Sequence, residues 1–195
     1  MKLYKLTSEL YQTYNQTQWG ENIFHEVSGE GKMCSSGWLH AYTSPLLAVL
    51  MNPVHANFKY PILWEAEGEI GVSDGIKVGC KRLTTLKQIP LLKVTIEQRI
   101  KFGILCAKKV CKEEKWNEWA DKWLKGEDRS VSAARAAADA ARAAAAYAAY
   151  YAARAANDAY YAASAVRSAV FSADADAEAA NENINFEQIA EESVK

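Results

Sequence analysis

The chain is poor in the residues that announce a common chemistry. Its four cysteines, Cys34, Cys80, Cys106 and Cys111, form no C-x-x-C pair, and residues 1–10 lack the character of a secretory leader. Free thiols in a reducing cytoplasm are the expectation. No apolar run approaches the roughly 20 residues that span a bilayer, which predicts a soluble chain without a membrane partner. The three histidines, His25, His40 and His55, have no short helical ligand spacing, and no cysteine or acidic cluster completes a set, so neither a metal nor a cofactor is expected. G-x-S-x-G, Walker and G-x-G-x-x-G patterns are absent, because Gly29-Glu30-Gly31 has no later glycine and no following helix. No residue is expected to be catalytic. Charge of one sign is also missing: 23 basic against 24 acidic residues leave a formal net charge of −1, which gives no general attraction to long nucleic acid. The local basic runs, Lys77, Lys81 and Arg82, then Lys108, Lys109, Lys112 and Lys115, read as solvated faces.

What is present divides unevenly. Half of the 195 residues are apolar, but much of that half is alanine, so the larger side chains of the first two-thirds must build the core. Residues 2–7 alternate as a strand does, residues 8–20 form a polar loop or helix, and residues 38–43 read as a short buried strand. Ser44-Pro45 is a helix start, since serine caps free N–H groups and proline at the first helical position loses nothing; the helix would run over 45–51 and stop at Asn52-Pro53. Residues 60–70, 77–83 and 91–95 are further strands. The fold class is α+β, with a mixed sheet domain over 1–95.

From about Ile96 the period turns helical. Trp116, Trp119 and Trp123 share one face of docking helices over 96–126, and residues 126–130 are a stop followed by a new cap. Residues 127–180 form an alanine-rich helical region with a break near Asn157-Asp158, and 181–195 an acidic tail in which Ile184, Phe186 and Ile189 make a last docking turn. Tyr147, Tyr150, Tyr151 and Tyr161 fall together on the helical wheel, and Arg135 and Arg142 share another face. An isolated alanine helix buries too little to hold itself, so a homo-oligomer assembled through these helices is expected. Arg135, Arg142 and Tyr147 would then line an anion or nucleotide site at the subunit junction.

A second constellation lies in the front domain: Leu3-Tyr4-Lys5-Leu6-Thr7, then residues 37–45, GWLHAYTSP, then Trp64-Glu65-Ala66-Glu67. His40 and Thr43 offer hydrogen bonds, Trp38 or Tyr42 a stacking surface and Lys5 an anion contact, with Thr7 beside it. This ordering resembles the split-sheet domains of ADP-ribosyltransferases. The resemblance implies that first strand, aromatic-Thr-Ser strand and a glutamate, Glu65, Glu67 or Glu69, converge on a nicotinamide dinucleotide, with Glu67 taken as the ligand-binding one. Lys5 stands where that family usually places Arg or His, so a pocket that binds without turnover is as well supported as an enzyme.

The compact front domain with its Gly37-Trp38-Leu39-His40 turn, the tryptophan helix and the alanine tract are also similar to a family of phage and prophage proteins. That resemblance implies an accessory protein that blunts host defence. The expected function is sequestration of a small nucleotide signal, a cyclic oligonucleotide or an ADP-ribose-type molecule. An ADP-ribosyltransferase-like or signal-degrading enzyme is one alternative, and a structural factor that binds a host protein another.

Overall fold

A computed structural model describes residues 1–143, 147–156 and 184–195, together with Tyr161, Ala165 and Ser168. The expected break at Asn157-Asp158 lies outside the described residues. The chain divides into two compact units, Met1–Lys93 and Val94–Lys195.

The first unit is built on an antiparallel sheet of β1 (Lys2–Thr7), β2 (Ile23–Glu26), β3 (Leu39–Ala41), β4 (Ile62–Ser73) and β5 (Val78–Ile89), with the helix α1 (Pro45–His55). β1 pairs with β4, β4 with β5, and β5 with β2 and β3. Tyr4 and Tyr42 then exchange two backbone hydrogen bonds of 2.8 Å, which joins the end of β3 to β1. The ring β1-β4-β5-β3 thus closes on itself and leaves those strands few unpaired edges. β4 accommodates the curvature through register shifts at Glu65/Ala66, Gly68/Ile70 and Ile70/Val72. Inside the ring lie Leu3, Trp19, Leu39, Ala41, Ala66, Val78, Cys80 and Leu83.

Two elements depart from expectation, and residues 8–20 take the loop alternative. β5 continues to Ile89 and leaves residues 91–95 irregular, because Pro90 has no N–H to donate and β4 offers no partner beyond Ile62. Residues 8–20 are a loop holding one turn of 3-10 helix, Tyr14–Gln16, and Tyr11, Asn15 and Gln16 adopt positive φ there. α1 begins at the Ser44 cap but runs past Pro53 to His55. Asn52 holds that extra turn: its backbone oxygen accepts from Ala56 N–H at 3.1 Å, and its side-chain amide bonds Phe58 in both directions at 2.9 and 3.1 Å.

The second unit contains α2 (Ile96–Val110), α3 (Glu114–Lys125), α4 (Val131–Ala143), α5 (Tyr147–Ala155) and α6 (Phe186–Ser193). Thr95 and Gln98 form a reciprocal capping box on α2, and Gly126, at φ 76°, ends α3 in the left-handed turn that glycine tolerates. α4 packs on α3 and α5, and α5 also packs on α2. The alanine faces (Ala134, Ala137, Ala138 and Ala141 on α4; Ala148, Ala149, Ala152 and Ala153 on α5) are therefore buried within the chain. Trp116, fully buried, supplies the bulk they lack, and its indole N–H donates to the Ala149 carbonyl at 2.7 Å. Residues 96–126 and the described part of 127–180 share one unit. The acidic tail ends in α6, which seats Phe186 and Ile189 and packs on α2. Among the described residues no helix is long and apolar enough to cross a membrane.

Candidate anion-binding site

Strand alternation divides the front-domain residues between the two surfaces of the ring. Leu39 and Ala41 point inward with Val78 and Cys80, so His40 and Lys77 lie on the outer surface of β3 and at the start of β5. Leu3 is inward on β1, and Lys5 follows it.

Lys5 is only 6% exposed, and its Nζ donates to the backbone oxygen of His40 at 2.7 Å. The ammonium also stands over the Trp19 ring, 4.6 Å from its centroid. Burial pushes the Lys5 amine down to about 8. On the other side of β3, Lys77 is 9% exposed and its Nζ donates to Cys34 Sγ at 3.3 Å. A turn places it there: Asp74 Oδ1 accepts from the N–H groups of Ile76 and Lys77, and Gly75 takes positive φ. The His40 ring bonds the Met33 carbonyl through Nε2. Burial, with the Lys77 and Lys5 ammoniums nearby, holds His40 below the ordinary imidazole range despite that bond.

The loop over residues 27–38 roofs this outer surface. Gly29 N–H donates to the Gly37 oxygen at 2.9 Å, and Trp38 Nε1 to the Gly31 oxygen at 3.0 Å. Trp38 lies flat against the strands because Gly71 and Gly79 leave room; a Cβ on Gly71 would come within 2.3 Å of the indole.

Lys5, His40, Trp38 and Lys77 are thus gathered around β3. The two lysines are the buried cations of the described residues, and neither pairs with a carboxylate among them. Tyr42 is buried, its hydroxyl 2.9 Å from His55 Nδ1 of α1, and burial pushes the phenol upward. Thr43 follows it, half-buried. Thr7 is buried one residue pair along β1 from Lys5, where its hydroxyl accepts from Trp64 Nε1 at 3.0 Å and donates to the Ser8 carbonyl, so it serves the sheet. Glu67 does not join the group. It is exposed and pairs in register with Lys2, on the surface opposite Lys5 and Trp64. Glu65 shares that surface and is held low by hydrogen bonds from Lys2 and Lys87, at 2.6 and 3.4 Å.

In the helical unit Arg135 is exposed on α4 and Tyr147 is exposed at the start of α5; the side chain of Arg142 lies outside the described residues. Arg154 there bonds the hydroxyls of Tyr150 and Tyr161, at 3.1 and 3.0 Å. No group of three or more His, Cys, Asp and Glu is placed to hold a metal ion among the described residues.

No family model, curated protein or solved structure matches the chain. The site rests on its own geometry. Lys77 was read from the sequence with Lys81 and Arg82 as part of a solvated basic face; Lys81 and Arg82 are exposed, but Lys77 is buried. The available signal was its place after the Ser73-Asp74-Gly75 turn, two residues before a glycine, where the neighbouring loop can close over it.

Proposed function

We propose that the chain is a binding protein that captures a phosphate-bearing nucleotide signal, of the cyclic-oligonucleotide or ADP-ribose type, and holds it without turnover. The observation that carries this reading is the pair of buried lysines on the two sides of β3, neither of which forms a salt bridge among the described residues. An ammonium withdrawn from water costs several kcal/mol unless an anion answers it. A phosphate group would meet Lys77 and the His40 edge directly, with the Lys5 charge behind the His40 backbone and the Trp38 indole on the same surface for a base or ribose. Capture without turnover is favoured because Glu65 is taken up by ion pairs with Lys2 and Lys87 and Glu67 stands in register with Lys2 on β1, not beside Lys77. The resemblance to phage proteins supports an infected bacterium as the setting.

Calorimetric titration with cyclic dinucleotides, ADP-ribose and NAD tests this. One member is expected to bind and to be recovered chemically intact after denaturation. Lys77→Met should weaken it about 10- to 100-fold, the scale of a lost charge-assisted hydrogen bond. Absence of binding by every member, or recovery of an altered ligand, would contradict the proposal.

A further inference from the structure

The four thiols are not equivalent. Cys80, Cys106 and Cys111 are buried and burial pushes each of them upward, which makes them poor nucleophiles. Cys34 is exposed, and its sulfur accepts a hydrogen bond from the Lys77 amine. Lys77 as a residue is only 9% exposed, and the one polar side-chain partner of its amine among the described residues is this sulfur. The two residues are 43 apart in sequence and are held in contact by separate anchors. The Asp74 turn fixes Lys77. On the Cys34 side, Ser35 N–H donates to the Lys32 oxygen at 2.9 Å, Ser35 Oγ to the Glu30 oxygen at 3.3 Å, and His40 bonds Met33.

We propose that Cys34 and Lys77 form an oxidative modification site, at which peroxide drives a sulfur–nitrogen bond between Cys34 Sγ and Lys77 Nζ. The Cys34 thiolate attacks a peroxide oxygen; the S–O bond forms, the O–O bond breaks and hydroxide leaves, taking a proton from solvent to become water, so that the sulfur is oxidised to sulfenic acid as the peroxide is reduced. Lys77 Nζ, having released one proton to solvent, then attacks that sulfur. The S–N bond forms, the S–O bond breaks, and the departing hydroxide takes a second amine proton as water. Contact between Sγ and Nζ at 3.3 Å supplies the proximity that lets this step outrun further oxidation. A cellular thiol reverses it by attacking the sulfur and freeing the amine. The bond does not depend on any ligand. On the nucleotide reading above, it also removes the Lys77 charge and makes capture redox-dependent.

The test uses the full chain, free of ligand, treated with hydrogen peroxide, alkylated, digested with trypsin and analysed by mass spectrometry. Most molecules are expected to yield one peptide uniting Cys34 and Lys77, lighter than the reduced pair by the lost hydrogens and uncut after Lys77, and dithiothreitol should restore both parts. Lys77→Arg keeps the charge without the amine and should give no link. Cys34→Ser, a change at an exposed side chain, should leave fold and tryptic cleavage after Lys77 unchanged by peroxide. Recovery of wild-type Cys34 unoxidised, or as sulfinic acid beside an unlinked Lys77, would overturn the proposal whether or not nucleotides bind.

Discussion

Replacing Lys5 with methionine is expected to stabilise the protein at neutral pH by roughly 1–4 kcal/mol, on the order of what is gained when buried charged groups give way to well-packed apolar side chains of similar volume. The wild-type penalty should also carry a pH signature. Lys5 titrates at about 8 in the folded chain against 10.5 for an ordinary lysine. Between those values the unfolded chain still holds a proton that the folded chain has released, so the unfolding free energy rises with pH across that window. Below about pH 8 both states are protonated and the full cost is present; above 10.5 both are neutral and it is gone. At about 1.4 kcal/mol per unit the rise is roughly 3 kcal/mol. Urea unfolding of wild type and Lys5→Met from pH 7 to 10.5 reads it as a difference in which the other lysines and the tyrosines cancel. A difference that stays flat with pH would mean that Lys5 is hydrated in the folded state.

The second large effect belongs to the helical unit. Trp116→Ala should cost about 3–5 kcal/mol, because it empties a fully buried site. It also removes the indole hydrogen bond to the Ala149 carbonyl. Trp116→Phe keeps most of the ring and loses the hydrogen bond, so about 1–3 kcal/mol is expected. Helical ellipticity at 222 nm against urea would report both variants. A cost of less than 1 kcal/mol for Trp116→Ala would mean that the alanine helices do not depend on α3 for their stability.

These two residues also mark what could be read in the sequence. The α+β class, β1, β3 and the Ser44 cap were legible because each rests on local pattern: alternation or capping. The partner of the alanine face was not. Periodicity says that a face must be covered and not by what, and α2 and α3 of the same chain cover it. Closure of the sheet through Tyr4 and Tyr42 was hidden for a similar reason, since a single backbone pair leaves no side-chain signature. In the site, Lys5, Trp38 and His40 were named from strand order and do gather around β3. Glu67 was named by resemblance alone; it lies on the outer surface in register with Lys2, opposite the inward Lys5, a consequence of the strand period. Lys77 was missed because a lysine in a charged stretch carries no mark of the loop that roofs it.

Whether the two buried lysines form an anion site is read most directly from the titration of Lys5 itself. In protein carrying 13C-labelled lysine, the Lys5 Cε resonance should titrate near pH 8 when the protein is free, and at least about one unit higher in millimolar pyrophosphate, because a bound anion favours the charged amine. An identical Lys5 titration with and without pyrophosphate would contradict an anion site at β3.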